Sequence, residues 1–495
     1  MKRLSIILPL LLTILTAAAQ QRVHLDLART IEIAADSSLQ AFRNQNLYLA
    51  GYWEYRAYRA ERLPSLDLSL TPVSYNRYIT QRYNYDENID VYRAQQMYSA
   101  SGGLTVRQNF DPLGGTFYLE TNLAYMRNFG LTKSTQFSSV PVRLGYSQQL
   151  LGFNEFKWAR RIEPVKYEKV QKEFLYNMEQ LSETAVTNFF TLALAQAEYR
   201  LAQDALASAD TLYTIGERRF KIAAISQADL LTLRLDRVNA ANSLENTRIA
   251  LKRAMFTLAS FLGMDKDTQI EVTLPPAPMA KEINADAALA YAKANNPTLI
   301  QHRQNILEAR RDLARRKVEQ RLSANLNASI GYNQVAPQFR DAYSNLMRQD
   351  LVSLTLSIPL VDWGVRKGRL NMAKNNLSVV EIAASQDELA VEEDIIMTVS
   401  DFNIQQRLVA SALEALDLAD AAYAQTRQRF IIGKADISTL TLSHNRQQDA
   451  NKNYISSLQN YWLSYYKLRR LTLYDFEANI ELTTKFDLRH HISAH

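Results

Sequence analysis

"RRFKIAAISQADLL" (residues 218–231) and "QRFIIGKADISTLT" (residues 428–441) are two versions of one segment. At a constant spacing of 210 residues, Arg219 and Phe220 recur as Arg429 and Phe430, Ile222 as Ile432, and Leu230 as Leu440. Each segment is a short break between two long helical patterns. A second block keeps the same spacing: "LLGFNEFKW" from Leu150 answers "LVDWGVRKG" from Leu360, with Phe153 opposite Trp363 and Lys157 opposite Lys367. Two blocks sharing one spacing identify an internal duplication.

Outward from the breaks, two periodicities alternate. A helical pattern over 25–62 gives way at Pro64 to "SLDLSLTPV", where Leu66, Leu68 and Leu70 alternate with Asp67, Ser69 and Thr71, the period of a strand. Leu104 and Val106, then Phe117, Leu119, Leu123 and Tyr125, then Val142, Leu144 and Tyr146 continue it, with "DPLGG" (111–115) as a turn. Helices follow from about 153 to 213 and from about 226 to 262. The second carries Leu244, Leu251, Met255, Leu258 and Leu262 as a coiled-coil-like seam. After "LPPAP" (274–278), whose prolines lack the helical amide donor, the order repeats. A helix spans about 284–321. Strands carry Leu326, Ala328, Ile330 and Tyr332, then Val352, Leu354, Leu356, Ile358 and Leu360. A helix of about sixty residues from Gly364, the second break and a last helix to about Leu471 complete it.

The chain therefore divides into a leader (1–19), a first repeat (20–273; strands within 65–151, tip near 216–229) and a linker (274–283). A second repeat (284–475; strands within 325–361, tip near 428–439) and a tail (476–495) follow. The leader is expected from Lys2 and Arg3, the apolar run Leu4–Leu15 and Ala17-Ala18-Ala19, with cleavage after Ala19 and export as the consequence. No later run reaches the roughly 18 apolar residues of a spanning helix. The 495 residues contain no cysteine, which excludes disulfides, thiolate metal sites and a cysteine nucleophile. The net charge of +6 is modest, and basic residues alternate with acidic ones, a solvated face rather than a nucleic-acid patch. Only 14 glycines suit a helix-dominated chain, and 26 tyrosines suit a membrane–water interface or β-surface packing. The six histidines (24, 302, 444, 490, 491, 495) lack metal-ligand spacing, and no nucleophile elbow or phosphate loop is present, so neither enzyme nor cofactor is expected.

A helix of sixty residues is about 90 Å long and must pack against other long helices. Strands that alternate apolar and polar suit a sheet between lipid and water. Four to six of them fall short of the eight in the smallest membrane barrels, and an open edge in lipid leaves backbone groups unpaired. If the sheet lies in a membrane, several chains share one barrel. A periplasmic coiled-coil protein with a soluble sheet is the alternative.

The whole pattern resembles the TolC-type outer-membrane efflux family. The resemblance is carried by "LPSLDLSL" (63–70), "NNP" (295–297), the two strand-to-helix junctions and the two breaks, in that duplicated order. It implies a mainly α protein with membrane β: a duplicated protomer, three of which form a shared β-barrel in the outer membrane on a periplasmic α-helical barrel. It implies an exit duct for efflux or type I secretion, docked to a periplasmic adaptor and an inner-membrane RND or ABC transporter. The family places two strands per half in the barrel. Here the first half has about 50 extra residues, read as an added strand pair that either widens the barrel or, the favoured reading, extends outside the lipid.

The resemblance also locates a periplasmic gate at the breaks. Asp229 matches the family's aspartate after the first turn. Phe430 stands at its tyrosine, and Ala435 at its arginine with Lys434 adjacent. Thr439 and Leu442 replace its double aspartate ring, leaving Asp436 as the nearby acid. Arg219, Phe220, Arg429 and Gly433 are the expected adaptor contacts. From the residues themselves, Asp229 equally suits a helix N-terminal acid, the two phenylalanines suit packing between helices, and Gly433 suits a permissive turn.

Overall fold

The structure, a computed structural model, describes residues 22–129, 133–278, 281–432 and 434–485. The expected leader, Gly433 and the histidines at 490, 491 and 495 lie outside them. The first half runs β1 (Arg22–Leu25), α1 (Leu27–Ser37), α2 (Leu39–Ala60), β2 (Ser65–Asn84), β3 (Ile89–Phe110), β4 (Gly115–Asn128), β5 (Ser134–Leu150), α3 (Glu155–Lys221), α4 (Gln227–Phe261) and β6 (Gln269–Val272). The second runs α5 (Ala285–Asn295), α6 (Pro297–Glu319), β7 (Ser323–Ala336), β8 (Met347–Ser357), α7 (Val365–Ile431) and α8 (Ile437–Thr472). The long helices α3 and α7 have 67 residues each, about 100 Å at 1.5 Å per residue, and start and stop at the same spacing of 210.

Two helices expected to be continuous are broken. The pattern over 25–62 is interrupted at Ser38, which is extended (ψ 146°) and whose Oγ accepts from the Ala41 amide. The pattern over 284–321 stops at Asn296 because Pro297 disfavours helical backbone in the residue before it; Asn296 has ψ 122°. The "NNP" asparagines are buried there, and their side-chain amides donate to the carbonyls of Thr472 and Leu471 at the end of α8. They satisfy acceptors that a helix terminus leaves open.

The chain forms two compact units that cut across its halves. One comprises the described residues up to Leu49, Gln171–Pro297 and those from Leu389 onward. Its core is Phe189, Phe190, Phe402, Leu458, Tyr465 and Leu468, with a second cluster of Leu181, Leu192, Leu258 and Leu262 under the parallel β1–β6 ribbon. Arg469 is pinned between Glu179 (2.9 Å) and Asp475 (3.2 Å).

The other unit comprises Ala50–Val170 and Thr298–Glu388. It holds one six-stranded antiparallel sheet in the order β2-β3-β4-β5-β7-β8. The added strand pair, for which an extension outside the lipid was the favoured expectation, is paired into this sheet. The β4 edge is paired by β3 from Gly115↔Phe110 to Asn128↔Met97, and β3 is paired in turn by β2. The reason is continuity of alternation: the apolar face carries on through Leu104 and Val106 to Leu66, Leu68 and Leu70. Beyond Met97 the hairpin continues as a two-stranded ribbon. "DPLGG" makes the β3–β4 turn with Gly114 at φ +75°, and Asn154 donates to the Asp111 carbonyl while capping Lys157 at the start of α3.

Candidate functional site

The register assigns every strand residue to one of two faces. Leu66, Val106, Leu119, Leu144 and Ile330 lie in one cross-strand row, which ends on Asp350 of β8. Phe117, Tyr146, Ala328 and Val352 form another on the same face. The opposite face carries Asp67, Thr105, Glu120, Arg143, Gly331 and Gln349 in one row, and Asn327 and Ser353 in another. Glu120 and Arg143 form an ion pair there. Among the described residues nothing covers the apolar face: Leu119 is 44%, Leu144 51% and Leu354 56% exposed. A monomeric soluble protein rarely leaves a contiguous apolar surface of this extent in water.

Aromatic residues bracket that face. At the end near the helices, Phe110, Phe117 and Tyr146 are in contact, with ring centroids 5.9 and 4.5 Å apart. At the far end Tyr98, Tyr125, Phe137 and Phe339 form a chain of contacts at 5.1–6.0 Å. Phe117 and Tyr125 are eight residues apart on β4, about 27 Å along the strand at ~3.4 Å per residue. At the 35–45° tilt of strands in membrane barrels this is about 20 Å of height, comparable to the roughly 25 Å apolar band between aromatic girdles on the outer surface of such barrels.

The two helix breaks use one set of bonds at the 210-residue spacing. The Ala224 amide donates to the Arg219 carbonyl, and the Lys434 amide to the Arg429 carbonyl, each at 2.8 Å. Both are the six-to-one bonds that close a helix end. Ala223 takes the left-handed conformation (φ +55°) in the first. The N-caps correspond as well: Ser226 Oγ accepts from the Asp229 amide, and Asp436 Oδ1 from the Thr439 amide. At the first break Asp229 also accepts from the Ser226 amide and hydroxyl, completing a capping box. Those bonds hold the Asp229 carboxyl below the usual carboxylate range, and the Thr439 bonds do the same for Asp436.

The candidate gate residues are therefore gathered at two equivalent turns, in unequal settings. Asp229, Lys434 and Asp436 are exposed. Asp229 is bonded to Ser226 and Asp436 to Thr439. Phe430 is buried (6% exposed), with the Arg219 guanidinium 6.0 Å from its ring centre. The equivalent Phe220 is 41% exposed, and Arg429 is exposed too. Among histidines, His24 faces Glu271, His302 faces Asp387 and His444 contacts Gln448. Among the described residues no group of three metal-ligating side chains converges, and no helix is long and apolar enough to cross a membrane.

Residues 288–472 match the family model of outer membrane efflux proteins. The fold extends the likeness to nearly the whole chain. The outer membrane channel CmeC of Campylobacter jejuni superposes at TM-score 0.65 with 12% identity, over 94% of this chain and 89% of its own. The outer membrane protein VceC of Vibrio cholerae gives 0.61 at 13% identity, over 90% and 95%. The open state of the Neisseria gonorrhoeae MtrE outer membrane channel gives 0.58 at 13%, over 90% and 88%. No curated protein matches in sequence. The efflux-channel fold is thus carried by a sequence that keeps about one residue in eight. The cross-strand rows went unread in sequence because they depend on which strands are neighbours, although each strand's alternation was plain.

Proposed function

We propose that this chain is a passive exit duct of the outer membrane, three copies of which share one β-barrel, with the helices of unit one reaching into the periplasm. The observation that carries the reading is the sheet with one bare apolar face, bracketed by aromatic rows, and one polar face. In lipid the bare face is solvated by hydrocarbon, and the polar face lines water. A soluble periplasmic protein would hold the same face against water at about 25 cal/mol per Å². The leader delivers the chain to the periplasm. Efflux is driven by an inner-membrane RND or ABC transporter coupled through a periplasmic adaptor, since a duct of this kind supplies no energy.

The tips are the proposed adaptor contacts, through Arg219, Phe220, Arg429 and Gly433. They also carry the proposed gate: Asp229, Lys434 and Asp436 as its charged groups, and Phe430 as the packing that sets the second tip's position. Purified full-length protein in detergent is expected to have the mass of three chains and to conduct ions in planar bilayers. A monomer without conductance would exclude the duct.

A further inference from the structure

The six-stranded sheet ends in two strands with a free edge, β2 on one side and β8 on the other. Five successive antiparallel pairings separate them, so they run in opposite directions. The β8 edge of one copy can therefore meet the β2 edge of another in antiparallel sense without any strand being turned round. Their faces agree: Leu66, Leu68 and Leu70 share the apolar face with Val352, Leu354 and Leu356. The guards against pairing are few in the stretch of β2 from Ser65 to Thr71, where Asp67 is the one charged residue, and in β8 they are confined to Arg348 and Asp350 at one end. Neither 65–84 nor 347–357 contains lysine, and the first proline of β2 is Pro72, next to the bulge between Thr71 and Ser74.

The competing closure would run through β4, leaving the β2–β3 hairpin outside the barrel. It is obstructed by the β3–β4 ladder, continuous from Gly115↔Phe110 to Asn128↔Met97. That ladder would have to be surrendered before β8 of another copy could take its place. Closure through β2 breaks no pairing and occupies both free edges.

Resting on the three-copy reading above, we propose that β8 of each copy pairs with β2 of the next. The three six-stranded sheets then close an eighteen-stranded barrel, and the first-half hairpin β2–β3 forms the seam between copies. β8 has 11 residues and β2 has 20, so the seam uses the lower part of β2. The upper part, from about Tyr75 to Asn84, stays paired only to β3. It stands above the seam as a ribbon rich in exposed tyrosine (Tyr75, Tyr78, Tyr83).

The cysteine-free chain makes the test direct. Ser353→Cys is combined in turn with Ser65→Cys, Asp67→Cys and Ser69→Cys, all on the polar face, and the full-length protein is oxidised in outer-membrane fractions. One of the three registers is expected to give dimers and trimers on non-reducing gels, and Ser353→Cys alone none. Crosslinking of Ser353→Cys with Asn122→Cys on β4, or no crosslink at any β2 register in a protein of three-chain mass, overturns the seam. Light scattering of the unoxidised protein in detergent separates this from the other failure: a mass other than three chains removes the three-copy reading and the strand count with it.

Discussion

Asp229 shows how one side chain can serve a local and a collective purpose. In the chain its carboxylate closes a capping box with Ser226, and Asp436 caps the second tip through the Thr439 amide. The proposed gate uses the same charges. The two uses separate by substitution. Asp229→Asn keeps an acceptor for Ser226 but removes the charge, whereas Ser226→Ala keeps the charge and removes a cap worth about 1 kcal/mol. If the charge gates the duct, Asp229→Asn raises single-channel conductance and Ser226→Ala leaves it near wild type; equal conductance in all three proteins removes Asp229 from the gate. The caps also set a pH dependence. Both carboxyls are held below their ordinary value of 3.8, so their contribution is complete above that value and is lost as pH falls through the lower folded value. Hydrogen exchange at the Asp229 and Thr439 amides, normalised for its intrinsic pH dependence, is expected to lose protection only in that acid range.

At the scale of elements, the duplicated hairpins are alike in bonding and unlike in burial. Arg219 of the first tip lies over Phe430 of the second, while the equivalent Arg429 and Phe220 are both exposed. If copies close a ring, the same contact is expected to recur between neighbours, with Arg429 of one copy over Phe220 of the next. Phe430→Ala then loosens each tip by about 3–5 kcal/mol locally, as for other buried phenylalanines. Phe220→Cys is expected to resist maleimide in the assembled protein and to react readily after dissociation; equal reactivity in both states would show that the second contact does not form. This asymmetry marks a limit of the sequence. The spacing of 210, the order of helices and strands and the strand faces were legible because they depend on local period and turn chemistry. Phe220 and Phe430 read alike because their difference lies in which neighbour each has. The break at Ser38 was missed because apolar period continues across it; the break at Asn296 is marked locally by Pro297, and only the asparagines' partners, about 175 residues away, lie beyond the sequence.

For the whole molecule, the question is which side of the sheet meets lipid. The ladder from β2 to β8 pairs the added hairpin into the sheet; the apolar rows run from β2 through β7, and in β8 Arg348 and Asp350 stand on the same face as Val352, Leu354 and Leu356. Leu144 and Ser147 lie close together on β5 and on opposite faces, Leu144 in the row with Leu119 and Ile330, Ser147 beside Asn327. If the apolar face meets hydrocarbon, an arginine at Leu144 carries a cost of about 2–4 kcal/mol near the bilayer midplane. Three copies suffer it at once. Leu144→Arg should therefore sharply reduce the amount of assembled protein in the outer membrane. Ser147→Arg places the same side chain in water and should assemble normally. It would also add a positive charge for each copy to the lumen, shifting the reversal potential in a salt gradient toward anion selectivity. The opposite pattern, with Ser147→Arg lost and Leu144→Arg assembled, would turn the sheet inside out. Equal assembly of both would mean that neither face is in lipid, since only an environment that differs between the two faces can tell these arginines apart.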